Sequence, residues 1–229
     1  MLIAREAWAN RFARYATPFA AGAMLAAAFM DLMPEAIESV EEPHVVMLFT
    51  LIGLLSFFIL ETVIHWSHDH TVKDDHADPV VTMVVIGDTV HNFLDGVAIA
   101  AGFLISPASG IVVTLAVAAH EIPHEIGDFG LMLDMGLKRL RVLLINVISS
   151  LATTLAAVIF FIWGNASNIS LTPTLGVVAG FFIYIAAADI IPTLHEERDR
   201  EEVVKKTLCL LIGVVLVSLT ITVFHGLIE

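Results

Sequence analysis

Long apolar stretches separated by short polar segments dominate this 229-residue chain. A helix needs about 20 mostly apolar residues to cross a bilayer, and continuously apolar runs favour helices over a transmembrane barrel. Seven stretches qualify: 17–37, 44–65, 80–105, 108–134, 142–163, 171–193 and 207–228. The pattern therefore predicts an all-α, polytopic membrane helix bundle, in which residues 17–228 form one transmembrane domain behind an N-terminal segment, 1–16.

The composition narrows the class of protein further. Hydrophobic residues make up 58% of the chain and charged residues 15%, whereas soluble domains average about 25% charged residues. The formal net charge of −13 argues against a nucleic-acid partner. The single cysteine, Cys209, excludes an internal disulfide and a Cys-rich zinc module.

Positively charged residues distinguish the two sides of the predicted bundle. All 11 Lys and Arg residues lie in four polar segments, which are 1–16, the His/Asp-rich loop 66–79, 135–141 and 194–206. With seven spans these segments share one side, which the positive-inside rule assigns to the cytoplasm. The sequence therefore predicts a multi-pass protein of the cell membrane, with a cytoplasmic N-terminus and an external C-terminus.

A short sequence occurs twice, in spans of opposite direction. Residues 29–34 (FMDLMP) lie at the outer end of the first span, and residues 187–192 (AADIIP) lie at the inner end of the sixth. Such a pair is typical of inverted-topology repeats, which place a transporter's substrate site between two halves, although so short a match also arises by chance. The pair predicts an inverted-repeat arrangement.

Polar and ionisable side chains are concentrated in the two central spans. They are Asp88, His91, Asn92 and Asp95 in 80–105, and His120, Glu121, His124, Glu125 and Asp128 in 108–134. The first four follow i, i+3, i+4, i+7 and share one helical face, and His120, His124 and Asp128 are each four residues apart. A charge at the bilayer centre costs roughly 2.5–3.5 kcal/mol on insertion scales, so these groups must face one another, water or a cation.

The chemistry of these side chains favours a divalent metal. Imidazole and carboxylate together suit Zn²⁺, Fe²⁺ or Mn²⁺, and the absence of thiolates disfavours Cu⁺. The donors outnumber the four ligands of tetrahedral zinc, so the helices could hold two ions or pass one ion along. Pro123 predicts a kink in this cluster, because it lacks an N–H group and clashes with the carbonyl of Ala119; a packing role is the other explanation for this proline.

Weaker candidates lie in other spans. Asn146 is a polar residue of 142–163 that could join the site or serve packing, and Met24 offers a thioether, although most membrane Met residues only pack. His195 and Glu196 follow 171–193 on the basic side, where an ion leaving the site could pause.

These motifs resemble those of the ZIP (Zrt/Irt-like) family of divalent-metal transporters. Residues 91–96 (HNFLDG) are similar to the family's His-Asn-x-x-(Asp/Glu)-Gly motif, and residues 120–128 (HEIPHEIGD) resemble the form used by the His-Glu-x-Pro-His-Glu subfamily. Residues 19–24 and 189–192 also look like parts of the family's second and seventh spans. The resemblance covers residues 17–228.

The resemblance implies roles for these residues. Zn²⁺ would be the transported substrate, without an organic cofactor, and would pass into the cytosol through a binuclear centre between the two central spans. By motif position the ligands would be His91, Asn92, Asp95, His120, Glu121 and His124, with Asn146 and Met24 as further contributors. From the residues themselves, Asp88, Glu125, Asp128, Asp189, His195 and Glu196 are secondary candidates. Family members generally form dimers, so we expect a homodimer in the lipid bilayer, with an elevator-type movement of one helix bundle.

Two other functions fit part of the pattern. His120-Glu121-x-x-His124 also matches the zincin motif, and residues 94–96 resemble the Leu-Asp-Gly element of site-2 intramembrane proteases. Against a protease, Pro123 lies inside the motif, the Leu-Asp-Gly element precedes it, and the donors exceed a three-ligand catalytic site. A transport-inactive metal sensor is the second alternative, because the family has eight spans with both termini outside and residues 1–16 are too short and too basic for a first span.

Overall fold

The computed structural model describes the backbone of residues 2–71, 77–167 and 170–228, and their side chains except at 2–10, 64–71, 77–80, 83, 134, 189, 193, 196 and 224–228. Seven helices follow one another in these ranges, without a strand. They are α1 (Leu2–Ala27, continued by Ala28–Leu32 and Met33–Glu38), α2 (Pro43–Thr71), α3 (Ala77–Ile105), α4 (Pro107–Asp134), α5 (Arg139–Ser167), α6 (Thr172–Tyr184, continued by Ile185–Ile190 and Ile191–Glu196) and α7 (Arg200–Ile228). Each predicted span coincides with one helix, so the prediction of an all-α bundle is confirmed.

Most of these helices have the length and composition of membrane spans. Five described stretches qualify, which are Arg11–Glu38, Pro43–Val63, Val84–Ile105, Arg139–Ser167 and Arg200–Val223. The α6 stretch Thr172–Ala188 is apolar but shorter, and polar side chains interrupt the apolar sequence of α4. Large apolar side chains of α5 such as Ile148 and Ile159 are exposed, as lipid-facing positions are. The chain is a multi-pass membrane protein.

Glycines allow two pairs of helices to touch at the backbone. In α1 and α7, a Cβ atom on Gly22 would collide with the carbonyl oxygen of Leu210, and one on Gly213 would collide with that of Phe19. The two helices run in parallel, because Tyr15 near the start of α1 donates a hydrogen bond to Glu202 near the start of α7 (3.0 Å). Small residues at a crossing bring helix backbones together, which is how membrane helices gain packing energy.

The second pair, α2 and α6, repeats this crossing with equivalent residues. A Cβ atom on Gly180 would collide with the carbonyl oxygen of Thr50, and one on Gly53 with that of Val177. Gly180 lies 158 positions after Gly22, as Val177 does after Phe19. Gly213 lies 160 positions after Gly53, as Leu210 does after Thr50. The α1–α2 and α6–α7 helix pairs are therefore internal repeats.

The repeated sequence found at 29–34 and 187–192 takes the same unusual conformation in both helices. Each copy contains a π-helical turn, Ala28–Leu32 in α1 and Ile185–Ile190 in α6, and a proline follows at the start of the next α-helical segment. The end of α1 meets the start of α6, where the hydroxyl oxygens of Ser39 and Thr172 are 2.9 Å apart. The two helices thus run in opposite directions, as an inverted repeat requires.

Several helices extend beyond the spans that the sequence pattern predicts. Helix α1 begins at Leu2 rather than near residue 17. Helix α2 continues to Thr71 and α3 begins at Ala77, so the helices take up most of the predicted loop 66–79. Its remainder, 72–76, lies outside the described residues, as do the side chains of its histidines.

Candidate metal centre

A very short connection makes α3 and α4 run back along each other. Helix α3 ends at Ile105 and α4 begins at Pro107, where the missing N–H group of proline is not needed. The single intervening residue, Ser106, caps α4 by accepting a hydrogen bond from the backbone N–H of Ser109 (3.0 Å). The motifs 91–96 and 120–128 consequently lie on adjacent, antiparallel helices.

The backbone and an aromatic ring orient His120. Its Nδ1 atom lies 3.2 Å from the carbonyl oxygen of Ala116, which can only accept, so Nδ1 carries the proton. With Nδ1 directed at that carbonyl, Nε2 is the nitrogen that faces the space between the helices. Phe182 packs edge-on against this ring, with 6.2 Å between centroids, and Phe57 packs edge-on against His91 at 5.7 Å.

Four donor atoms converge in that space, from His91 and Asp95 on α3 and from His120 and Glu121 on α4; we call these residues the buried group. The Nε2 atom of His91 lies 3.2 Å from Nε2 of His120, 3.3 Å from Oε1 of Glu121 and 3.8 Å from Oδ2 of Asp95. The Nε2 atom of His120 lies 3.0 Å from Oδ2 of Asp95 and 3.4 Å from Oε1 of Glu121.

Five of the six spacings among these donors are close to those of a tetrahedral ligand set. Zinc bonds of about 2.0–2.1 Å place the four donor atoms of a tetrahedral site about 3.4 Å from one another. The five spacings given above range from 3.0 to 3.8 Å. Asp95 Oδ2 and Glu121 Oε1 are enclosed and accept no hydrogen bond from any described residue. Acceptor atoms that converge in this way need a cation or protons between them.

A second cluster lies next to the buried group and consists of Asp88 on α3 with His124 and Asp128 on α4; we call it the second group. Its three ligand atoms lie within 4.8 Å of one another, and Nδ1 of His124 is 3.8 Å from Oδ2 of Asp128. The ring of His124 stacks on that of His91, with 5.1 Å between centroids and 5° between planes. The ligand atom of His124 thus groups with those of Asp88 and Asp128, while its ring lies against His91 of the buried group.

Asn92 lies behind both groups, and hydrogen bonds occupy both ends of its amide. Its Nδ2 donates to Oδ1 of Asp88 (2.9 Å), and its Oδ1 accepts from the hydroxyl of Thr153 on α5 (2.7 Å). The same nitrogen donates to the backbone carbonyl oxygen of Asp88 (3.1 Å), which can only accept, so the nitrogen end must face Asp88. The oxygen that a metal would need is therefore directed toward Thr153 in this structure.

A cavity of about 360 Å³ connects the two groups. It is lined by Thr17, His91, His120, Pro123, His124, Gly127, Asp128, Ile185 and Ile190. It lies toward the end of the bundle where α1 and α7 start and α4 and α6 finish. We call this the basic end, because the Lys and Arg side chains that the structure describes belong to the helix ends and loops found there. Exposure increases in this direction, since 3% of the His120 side chain is exposed and 43% of the His124 side chain.

Some of the other predicted residues border the site without joining either group. The Nδ2 atom of Asn146 donates to the carbonyl oxygen of Glu125 (3.3 Å), and its enclosed Oδ1 accepts no hydrogen bond from a described residue. The Oε1 atom of Glu125 accepts a hydrogen bond from Ser150 (2.8 Å). These contacts connect α4 to α5.

The remaining predicted residues are farther along their helices. Met24 is fully buried in the apolar core, and His195 is exposed at the end of α6. The side chains of Asp189 and Glu196 lie outside the described residues.

Sequence reasoning missed a polar face on α5 and a buried contact on α4. Asn146, Ser150 and Thr153 follow i, i+4, i+7, a helical spacing in the sequence that would have revealed the α5 face. Ser109 on α4 donates to Asp31, which is 1% exposed and lies in the π-helical turn of α1 (3.2 Å). No periodicity in the sequence indicated that second contact.

A family model described as ZIP Zinc transporter matches residues 2–81 and 67–221 of this chain. The chain belongs to the ZIP zinc transporter family. The resemblance drawn from the two motifs is thus confirmed, together with the family's identity as transporters. Both polar groups of this ZIP chain lie within the matched residues.

Curated ZIP proteins are similar to this chain over different lengths. Zinc transporter ZIP4 of Homo sapiens is 40% identical over 117 residues, which are 51% of this chain and 18% of that protein. Zinc transporter ZIP10 of Homo sapiens is 34% identical over 151 residues, 60% of this chain and 18% of that protein. Zinc transporter ZIP13 of Pongo abelii is 30% identical over 216 residues, 88% of this chain and 64% of that protein. The chain spans less than two thirds of each relative.

Proposed function

We propose that this ZIP protein transports divalent metal ions, above all Zn²⁺, across a membrane through the buried group. The observation that carries this proposal is the convergence of four nitrogen and oxygen donors at tetrahedral spacing between two membrane helices. The names of the relatives, all zinc transporters, support zinc as the substrate. Fe²⁺, Mn²⁺ and Cd²⁺ are further substrates that such a donor set accepts.

In this proposal the substrate ion binds His91, Asp95, His120 and Glu121, and it needs no organic cofactor. Asn146 and Glu125 border the site and Asn92 supports it, while Met24, in the apolar core, is a further candidate contributor. Toward the basic end, Asp189, His195 and Glu196 are candidates for contacts with an ion that leaves the bundle.

The charge distribution supports a direction of transport. The basic end would face the cytosol by the positive-inside rule, so the ion would move toward the cytosol through the cavity beside His124. We place the protein in the cell membrane as a homodimer surrounded by lipid, with a cytoplasmic N-terminus. The exposed apolar side chains of α5 and α7 support contact with lipid or with a second copy.

The geometry gives no support to the protease alternative. A zincin binds one ion with both histidines of its motif, and the two would have to point to the same place. Here Nε2 of His120 belongs to the buried group, whereas His124 belongs to the second group. We therefore propose a transporter rather than an enzyme.

The test is zinc uptake by liposomes that contain the purified chain and a trapped fluorescent zinc indicator. Wild-type protein should admit zinc, and His120→Ala should reduce the initial rate at least tenfold. His44→Ala is the matched control, because His44 is an exposed histidine at the start of α2 and should leave the rate unchanged. Equal uptake by wild type and His120→Ala would refute the proposal, and zinc binding without uptake would favour a sensor.

Acid should oppose uptake. Imidazole and carboxylate ligands bind metal only when deprotonated, so protons compete with zinc for the buried group. Initial uptake rates measured between pH 7.5 and pH 5 should therefore fall with pH. A rate that stays constant, with the protein still folded, would mean that these side chains do not bind the ion.

A further inference from the structure

We infer that Lys138, Arg139 and Arg141, at the turn between α4 and α5, bind the phosphate of an anionic membrane phospholipid whose acyl chains lie along the exposed face of α5. We call these three residues the basic corner. The inference concerns contact with the bilayer, and it does not depend on the proposed metal transport.

The basic corner differs in its charge from the rest of the basic end. Residues 135–167 contain these three cations and no Asp or Glu, in a chain with a net charge of −13. All three side chains are exposed, and none forms an ion pair with a carboxylate that the structure describes. At the start of α7, by contrast, Lys205 pairs with Glu201 (2.8 Å) and Lys206 with Glu197 (2.9 Å). The positive charge of the basic corner is therefore available to an anion from outside the chain.

The turn between the two helices holds the basic corner in place. Gly136 ends α4 in the left-handed region (φ 86°), and the backbone N–H of Leu137 donates to the carbonyl oxygen of Met132 (3.2 Å), as in a Schellman motif. Helix α5 begins at once, since the carbonyl oxygen of Lys138 accepts a hydrogen bond from the N–H of Val142 (3.1 Å). Backbone hydrogen bonds on both sides of the turn thus fix the points from which the basic side chains extend.

An aromatic ring of α4 holds Arg139 further. Its guanidinium carbon lies 6.0 Å from the centre of the Phe129 ring, and the face of an aromatic ring attracts a cation at this distance. Arginine binds phosphate through two parallel hydrogen bonds from its planar group. A guanidinium that is already held where α4 and α5 meet loses less freedom when it binds one.

The length of α5 places the basic corner among the lipid headgroups. The helix has 29 residues, which span about 44 Å at about 1.5 Å per residue and match the roughly 40–45 Å of a bilayer with its headgroup regions. Trp163, near the other end of α5, is exposed, as tryptophans at a membrane interface are. The first turn of α5, which bears Arg139 and Arg141, therefore lies at the level of the lipid phosphates.

An apolar surface continues directly from the basic corner. Arg141, Leu144 and Ile148 follow i, i+3, i+7 and share one side of α5, and both apolar side chains are exposed. A phospholipid whose phosphate contacts Arg141 would lay its acyl chains on Leu144 and Ile148. A soluble anion would use the charges alone, whereas a lipid uses the charges and the apolar side chains, so this surface favours a lipid.

The experiment is the binding of radiolabelled phosphatidylglycerol to the full, purified chain in an uncharged detergent, with phosphatidylcholine as the comparison lipid. Both lipids contain a phosphate, but only phosphatidylglycerol has a net negative charge. Wild-type protein should bind phosphatidylglycerol about tenfold or more tightly than phosphatidylcholine, and the binding should weaken as the salt concentration rises. Glycerol phosphate, which has the anionic group without acyl chains, should not displace the lipid at equal concentration.

Paired substitutions test the residues. Arg139→Gln together with Arg141→Gln should weaken phosphatidylglycerol binding about 25-fold, because each basic residue near an anionic surface contributes about fivefold. Arg198→Gln together with Arg200→Gln is the matched control, since it removes two exposed arginines from the same end of the bundle and should leave the affinity unchanged. A melting curve of each variant identifies any that fails to fold.

Several results would overturn the inference. They are equal affinities of the wild type for the two lipids, unchanged binding by the basic-corner variant, and an equal loss in the control variant. Displacement by glycerol phosphate would mean that the basic corner binds a soluble anion and not a lipid. The comparisons of ligands use wild-type protein, so they decide the question even if a variant does not fold. Zinc plays no part in this assay, so its outcome is separate from that of the proposed transport.

Discussion

The crossings of α1 with α7 and of α2 with α6 differ from the contacts among α3, α4 and α5 in what separates the backbones. At the crossings, glycines bring carbonyl oxygens to within touching distance of the facing helix. Among α3–α5, one close glycine contact is also present, between Gly96 and the carbonyl oxygen of Thr153, but histidine, carboxylate, amide and hydroxyl groups meet between the helices as well. Membrane helices associate through close packing and interhelical hydrogen bonds. Ionisable side chains converge between α3 and α4, whereas the glycine crossings bring only small residues and backbone together.

This difference indicates which helix contacts stay fixed and which can rearrange. A crossing made by backbone atoms leaves no side chain that could change rotamer, so we expect those helix pairs to stay fixed. Contacts made by polar side chains can be broken and remade around an ion. The comparison therefore predicts that substitutions in the two regions affect different measurements.

Asp95→Asn changes the polar contacts among α3, α4 and α5, and it should have the largest effect, on zinc affinity. The change removes one negative charge from the buried group, where Oδ2 of Asp95 lies 3.0 Å from His120. Losing a charged ligand should weaken zinc binding by about 100-fold or more, which corresponds to roughly 2.7 kcal/mol or more. Isothermal titration with Zn²⁺ measures the loss, and the melting temperature should change little.

If Asp95→Asn bound zinc as tightly as wild type, the buried group would be a hydrogen-bonded network and not a metal site. Asp199→Asn, an exposed change outside the bundle, is the control and should titrate as wild type does.

Gly22→Ala should have the next largest effect, and it concerns stability. The added methyl group would collide with the backbone of α7, which cannot move aside as a side chain can. Overpacking of this kind costs about 1–3 kcal/mol. Thermal or denaturant unfolding in detergent measures the cost, and the zinc affinity of the protein that remains folded should be unchanged.

Gly130→Ala provides the contrast. A Cβ atom there meets nothing within 4 Å, so this change should be neutral or should stabilise α4 by up to about 1 kcal/mol. Equal destabilisation by the two alanines would mean that the glycines serve helix flexibility rather than close approach.

Ser150→Ala should have a smaller effect, on the contact between α4 and α5. It removes the hydrogen bond to Glu125, which is 2.8 Å long, and should cost about 1 kcal/mol of stability. Ser167→Ala removes a hydroxyl that bonds only within its own helix, to Trp163, and should cost less than about 0.5 kcal/mol. Unfolding curves that do not distinguish the two variants would contradict the role of the α5 polar face.

Glu197→Gln should have the smallest effect, outside both regions. The ammonium group of Lys206, 2.9 Å away, lowers the pKa of the Glu197 carboxyl below its ordinary 4.5, and the backbone N–H of Asp199 contributes. A carboxyl whose pKa is lowered in the folded protein adds stability above its unfolded pKa and loses that contribution as the pH falls through the folded value. The melting temperatures of variant and wild type should therefore differ slightly at pH 7 and converge below about pH 4. A constant difference would assign the effect to something other than this charge.

The sequence predicted the helices and the chemistry of the site better than it predicted which of the site residues lie together. Seven apolar stretches and the spacing of His91 and Asp95 predicted the bundle and the facing polar helices. The separation of His124 from His120 could not be predicted, because both are on one face of α4 and only the position of α3 decides which partners each meets. The orientation of Asn92 could not be predicted either. The motif implies that it is a ligand, but Thr153, on another helix, determines where its oxygen points.

The glycine crossings also could not be predicted from the sequence. Gly22 and Gly213 are ordinary residues in apolar stretches, and nothing local shows that they meet. The two π-helical turns, in contrast, lie where the repeated sequence is, so the repeat marked an irregular backbone without revealing its kind.

The two offsets of the internal repeat show where its two copies differ in length. Equivalent positions are 158 residues apart in the first helix of each pair and 160 apart in the second. The offset is the same for both equivalent positions of each helix, so the difference of two residues lies between the first helix and the second helix of a pair. The same helix pair therefore forms the same glycine crossing in either direction through the bundle.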